Sequence, residues 1–210
     1  MKVLVLSPHT DDAEVGCGAT MAKHVANGDE VKCVVFSDCK ESLPEEMRNP
    51  NQLLIEHIKA MKILGVLDLH NKYYPVRLFR KYEHEIRDLI YKLVHKEFKP
   101  DIVYTPWLGS LHQDHEVIAR CTEQVCRHKD ITVLGYYVCD DGIGFAPRYF
   151  EGLSLKLVDK KLDALFCYES QVKLRSWWTQ PVFESYMRYW SPSTSHQWTE
   201  AFEIIRMVKL

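Results

Sequence analysis

The sequence predicts an α/β fold, doubly wound, with a mostly parallel sheet and helices on both faces. Two observations carry this. Short apolar runs with β-branched residues alternate with stretches of helical spacing from the start of the chain to about residue 138. Glycine and proline punctuate that alternation where helices must stop, at Asn27-Gly28, Gly65 and Lys99-Pro100.

Val3–Ser7 reads as a buried strand, followed by a polar, glycine-containing loop and a helix from about Ala19 to Ala26. Val31–Ser37 is the second strand. A polar loop with Pro44 and Pro50 leads to a helix near Gln52–Leu64, and Leu67–Tyr74 holds a short third strand. Tyr82–Phe98 carries apolar residues at 86, 89, 90, 93, 94 and 98, which is helical spacing. Ile102–Thr105, a helix near Glu116–His128, and Thr132–Val138 complete the alternation. Beyond about Asp140 the pattern weakens into aromatic-rich stretches, including Trp177-Trp178, Phe183, Tyr186, Tyr189, Trp190 and Trp198. These read as core or subunit interface before they read as a sugar platform. No linker or repeat divides residues 1–210, so a single domain is expected.

Composition excludes several classes. With 46% hydrophobic and 27% charged residues and a net charge of −2, no strong field favours nucleic acid or an anionic membrane. No apolar run approaches the ~20 residues a membrane span needs, and Met1-Lys2 runs directly into a strand without a signal-peptide core. A cytoplasmic protein is expected. The seven cysteines, at 17, 33, 39, 121, 126, 139 and 167, contain no C-x-x-C pair and read as reduced, mostly buried thiols. Cys17 stands out because it lies beside the first motif below.

Two segments concentrate chemistry: Pro8-His9-Thr10-Asp11-Asp12 and His112-Gln113-Asp114-His115. Each falls in the loop after a predicted strand, and each packs imidazoles and carboxylates together. In doubly wound sheets ligands bind beyond the carboxyl ends of strands where the strand order reverses. An open zinc site commonly has three protein ligands and a position for water. His9 and Asp12, three apart in a turn, can reach one ion, and one imidazole of the second motif would complete the set. Asp11 would then be free to take a proton from the metal-bound water, whose pKa falls toward ~7. The other imidazole could hydrogen-bond an oxyanion or protonate a leaving group. Ligand chemistry alone leaves open whether His112 or His115 binds. Two histidines and one aspartate suit Zn²⁺ and also match Fe(II) sites, so zinc is expected with Fe²⁺ as the alternative.

The bland readings are specific. Asp11-Asp12 could simply favour the start of the following helix. His24, His57, His70, His84, His95, His128 and His196 lack acidic neighbours at a strand end and read as structural. Gly16-Cys17-Gly18 resembles a dinucleotide loop, but Met21 stands at the third glycine position and two aspartates would repel a pyrophosphate. Arg77 and Arg148, near predicted loops, are candidates for substrate contact, with surface ion pairs as the rival role.

PHTDDAEVGCG and HQDH resemble the two signature motifs of the LmbE-like/PIG-L family of metal-dependent N-acetylglucosamine deacetylases. The resemblance continues through Lys62-Ile63-Leu64-Gly65, Lys99-Pro100-Asp101 with Thr105-Pro106, Tyr168-Glu169-Ser170-Gln171 and Glu200-Ala201-Phe202-Glu203, and so spans nearly the whole chain. It implies a Rossmann-like fold with the first and fourth strands adjacent. It implies His9, Asp12 and His115 as metal ligands, and Asp11 as general base. His112 would stabilise the oxyanion and Asp114 would orient a neighbouring histidine. Implied too are an N-acetylated amino sugar or its conjugate as substrate, and a homo-oligomer, trimer or hexamer. Two positions depart from the family pattern. Leu53 stands where an arginine is expected three residues before Glu56, with Arg48 as a nearby substitute, and Ser110 stands where many members carry aspartate. The rival functions are a dinuclear-metal phosphoesterase, since six metal-capable side chains could hold a pair, and a non-catalytic sugar-binding protein of the same fold, against which Asp11 speaks.

Overall fold

The computed structural model describes residues 1–45, 49, 51–139 and 141–208. Arg48, Pro50 and Asp140 therefore lie outside the described residues. The first strand, β1 (Lys2–Ser7), is flanked by β2 (Glu30–Val35) and β4 (Ile102–Pro106), both parallel to it. Outward from β2 lies β3 (Asp68–Asn71), and outward from β4 lies β5 (Thr132–Tyr136), again parallel. The final strand, β7 (Trp198–Arg206), pairs antiparallel with β5 and with the edge strand β6 (Tyr149–Leu153). The full order is β3-β2-β1-β4-β5-β7-β6. Strand order reverses between β1 and β4, as expected, and the loops carrying both motifs leave the carboxyl ends of these two strands.

Alternation along the strands builds two cores. Val3 and Val5 of β1 face the helices α1 (Asp12–Ala26), α2 (Gln52–Leu64) and α5 (Leu155–Leu165), with Met21, Met61, Leu64 and Leu165. Leu4 and Leu6 face α3 (Glu83–Lys92) and α4 (Gln113–Cys126), with Ile86, Ile90 and Ile118. All four strand residues are fully buried. Burying each is worth roughly 1.5–3 kcal/mol, so β1 is anchored from both sides before it delivers His9. The helix ended by Gly65 closes as expected, with Gly65 in the left-handed conformation. The long helix predicted to Phe98 instead widens into a π turn over Leu93–Glu97.

Two expectations about helix starts need correction. The first helix begins at Asp12, not near Ala19. Its backbone breaks at Cys17 (φ −146°, ψ 25°), so the predicted start marks its second segment. Gly16 belongs inside the helix because a Cβ there would lie 2.3 Å from the Tyr136 ring. Likewise α4 begins at Gln113, so the second motif straddles a loop and a helix start. The weakly patterned C-terminal third holds β6, α5, α6 (Glu169–Leu174), α7 (Gln180–Tyr189) and β7, and completes the same sheet. Among the described residues no helix is long and apolar enough to cross a membrane.

Distant side chains explain the early helix start. Glu200 of β7 accepts hydrogen bonds from the Ala19 N–H (3.1 Å) and the Thr20 N–H (2.7 Å), capping the segment after the break. Lys161 of α5 donates to Glu200 Oε1 and to the Val15 carbonyl, both at 2.6 Å, and satisfies the segment before it. Both side chains are buried.

Candidate active site

His9, Thr10, Asp11, Asp12, His112 and His115 line one cleft of about 450 Å³, together with Cys39, Ser42, Leu53, Arg77, Asp141, Gln171 and Arg175. Asp12 is the first residue of α1 and His115 lies in the first turn of α4, so the two helix starts face each other across the sheet's reversal point. Asp12 Oδ2 lies 3.0 Å from His9 Nδ1 and 3.1 Å from His115 Nε2, and those two nitrogens are 3.2 Å apart. Three ligands held 2.0–2.1 Å from one tetrahedral ion sit about 3.3 Å from one another. The donor triangle is thus close to the size one ion requires.

His112 also belongs to the histidine group that could hold a metal, with His9 and His115. Its Nδ1 is engaged, however, accepting the Asp114 N–H at 3.2 Å as the N-cap of α4. A neutral imidazole that accepts through Nδ1 carries its proton on Nε2. His115 Nε2, by contrast, faces Asp12 Oδ2 and His9 Nδ1.

Carboxylates behind the ring nitrogens set the orientations. Asp114, buried, accepts from the Arg77 N–H at 2.6 Å and the Phe79 N–H at 3.3 Å, and faces His9 Nε2 at 3.2 Å. Asp141 Oδ2 lies 3.1 Å from His115 Nδ1. Each carboxylate leaves the opposite ring nitrogen for an ion, the outer-shell arrangement that tunes metal-binding histidines. Arg77 takes a left-handed backbone (φ +67°), and its carbonyl also accepts from Gln113 Nε2.

Burial favours the uncharged form of His9, but Asp12 and Asp114 outweigh it and raise its pKa. Burial is likewise outweighed at His115, where Asp12 and Asp141 raise the pKa to about 10. Asp12 is buried too, yet His115 and His9 hold its carboxyl well below the usual range. Asp11 is pushed up to about 6 by burial and by Asp12, with Arg175 pulling the other way. Its carboxylate makes no hydrogen bond or ion pair among the described residues. His112 falls to about 4 through burial and the neighbouring His9 and His115, so it is neutral at pH 7.

Sequence reasoning missed the support beneath Asp11. Tyr168 donates to the Thr10 carbonyl, and His57 Nδ1 lies 2.9 Å from that carbonyl and 2.8 Å from Glu14 Oε1. All three side chains are fully buried. The fold gives His57 a buried acidic partner, Glu14, 43 positions away in the sequence. His24 similarly pairs with Asp29 at 2.7 Å. Cys17 is fully buried and its thiol pKa is raised well above normal, which makes it inert.

Of the two predicted substrate arginines, Arg77 lines the cleft. Arg148 does not; it is exposed and donates to the Pro147 carbonyl. A second arginine of the cleft, Arg175, was not predicted. It bonds Gln171 Oε1 at 2.6 Å and lies 5.3 Å from the Trp177 ring. Trp178, Phe183 and Trp198 are buried as expected for core residues, and Phe183 also lines a second cavity of about 550 Å³ together with Tyr186, Tyr189 and Trp190.

Comparison with known proteins converges on one family. The PIG-L family profile, described as GlcNAc-PI de-N-acetylase, matches residues 4–126. The uncharacterized deacetylase YaiS of Escherichia coli strain K12 is 27% identical over 178 residues, covering 80% of this chain and 90% of YaiS. The diacetylchitobiose deacetylase of Thermococcus kodakarensis is 25% identical, covering 97% of this chain and 83% of that protein. The N,N'-diacetylchitobiose deacetylase from Pyrococcus horikoshii shares the fold, with a TM-score of 0.79 at 22% identity, over 97% of this chain and 83% of that one. With more than half its length matched by the family profile, and with both signature motifs meeting in one cleft, the chain belongs to the PIG-L family.

Proposed function

We propose that this protein is a mononuclear metal-dependent hydrolase that removes the acetyl group from an N-acetylglucosamine-type sugar or conjugate. The observation that carries the reading is the donor triangle of His9, Asp12 and His115, with Asp11 beside it in the same cleft and its carboxylate without a hydrogen bond or ion pair among the described residues. His9, Asp12 and His115 would hold the ion, zinc with Fe(II) as the alternative. The bound ion would polarise the acetyl carbonyl and acidify water. Asp11 accepts the proton from the attacking water, and its raised pKa suits a base working near neutrality. His112, neutral with its proton on Nε2, donates to the developing oxyanion. Asp114 fixes the His9 ring and keeps its ligating nitrogen forward. Arg77 and Arg175 serve substrate binding in preference to Arg148.

The proposal includes a single working domain over 1–210, supported by one sheet that runs from Lys2 to Arg206. It includes a homo-oligomer, supported by Leu111 (81% exposed) and Ile143 (98% exposed), large apolar residues in the loops bordering the cleft. A cytoplasmic location is supported by the buried free thiols Cys17, Cys33, Cys39, Cys121 and Cys126. Metal counting by elemental analysis, beside acetate and phosphate release from N-acetylglucosamine conjugates, tests the function. The expected result is about one metal per chain and acetate release. Two metals with phosphate release and no acetate would establish the phosphoesterase instead, and binding without turnover the sugar-binding protein.

A further inference from the structure

We infer that Asp141 is the carboxylate that positions the His115 ring of the metal site, and that the Ser110 hydroxyl holds Asp141 in place for it. The inference rests on the reading of His115 as a ligand. Asp141 is only 5% exposed, and each of its side-chain oxygens is engaged: Oδ1 receives the Ser110 hydroxyl, and Oδ2 faces His115 Nδ1 at 3.1 Å. Ser110 also accepts the His112 N–H at 3.2 Å, so one buried hydroxyl ties the backbone at the oxyanion donor to the carboxylate behind the ligand.

The backbone holds Asp141 as firmly as the side chains do. Its carbonyl accepts the Leu111 N–H and its N–H donates to the Val138 carbonyl, both at 3.2 Å. The next residue, Gly142, has φ +121°, and a Cβ there would stand 3.2 Å from Leu111 and Trp107 side-chain atoms. Its carbonyl accepts the Tyr137 hydroxyl at 3.0 Å. Two loops, one after β4 and one after β5, are therefore clasped so that a residue 26 positions beyond His115 lands behind its ring.

The clasp accounts for Ser110. An aspartate there would put a second carboxylate, buried, against Asp141 Oδ1, where like charges repel strongly in a low-dielectric setting. Serine instead supplies a donor. With Nδ1–H of His115 directed at Asp141, Nε2 keeps its lone pair for the ion, and removal of such outer-shell partners typically weakens metal binding by about 10–100-fold.

The test is zinc affinity of the full-length protein, by chelator competition, with far-UV circular dichroism melts confirming folding. Asp141→Ala and Asp141→Asn should weaken zinc by about 10–100-fold and about 3–30-fold respectively. Ser110→Asp should weaken it by at least about tenfold, and Ser110→Asp combined with Asp141→Asn should recover most of that loss, because one carboxylate then remains beside a neutral partner. Should Asp141→Ala fail to fold, Asp141→Asn and the double variant carry the result. Wild-type zinc affinity in folded Asp141→Asn, or a double variant no better than Ser110→Asp, would overturn the inference. Affinity is read without turnover. Loss of zinc in these variants with no acetate released by wild type would thus defeat the deacetylase reading and leave the role of Asp141 standing.

Discussion

Replacing Glu200 by Gln should cost the protein about 3–5 kcal/mol, because the change strands a buried ammonium. Lys161 and Glu200 are each 4% exposed and 2.6 Å apart, so each charge depends chiefly on the other. Glu200 further carries the Ala19 and Thr20 N–H groups at the break in α1; leaving a buried donor unpaired costs about 1–3 kcal/mol, which puts Glu200→Ala at or above the top of the range. Urea unfolding of the metal-free protein, followed by circular dichroism, measures this, and melts should drop by about 6–20 °C for a chain of this size. A double-mutant cycle with Lys161→Met isolates the pair and should give a coupling of at least about 2 kcal/mol. A loss under about 1 kcal/mol for Glu200→Gln, or additive single variants, would refute the claim that this pair holds the broken helix together. The functional link is direct, since the segment before the break carries Asp12.

Asp11→Asn should keep its fold and metal and lose about 10²–10⁴ in kcat, and His112→Ala about 10²–10³, measured as acetate release with metal content in parallel. The kcat/KM profile should rise through an apparent pKa no higher than about 6, the raised value of Asp11, since a cation nearby lowers it further; an acid limb well above 6 would contradict Asp11 as base. His115, raised to about 10, stabilises the metal-free protein fully below its unfolded pKa of ~6.5 and progressively less up to pH 10, so metal-free melts should fall over that window and His115→Ala should flatten the decline. Zinc binding at pH 7 should for the same reason release protons, seen as calorimetric heats that vary with buffer ionisation enthalpy. Arg77→Ala and Arg175→Ala should each raise KM by about 3–10-fold, as expected for one lost hydrogen bond, while Arg148→Ala leaves it unchanged.

The central sheet was legible because strands buried on both faces read as short apolar runs, and β1, β2, β4 and β5 all appear near their predicted places. The motifs were legible because clustered imidazoles and carboxylates have no solvation reason to gather. What escaped was held by contacts distant in sequence. The first turns of α1 looked like loop because Gly16-Cys17-Gly18 has poor helical propensity, and their support comes from Lys161 and Glu200, far along the chain. β7 was hidden because Glu200 is buried as a cap, which breaks the usual alternation of a strand. Asp141 carried one faint signal. It follows β5, the strand beside β4, and so emerges at the same sheet edge as His112 and His115. Arg175 had none, since only folding brings α6 to the cleft.

The most direct test of the account is metal content per chain in wild type and four single variants, measured after identical loading and desalting. Wild type, Asp11→Asn and His112→Ala should each retain about one ion. Asp12→Ala and His115→Ala should retain none, because two protein ligands bind far more weakly than three. An empty site in Asp11→Asn, or in His112→Ala while His115→Ala stays loaded, would contradict the assignment of ligands and base on which the proposed chemistry depends.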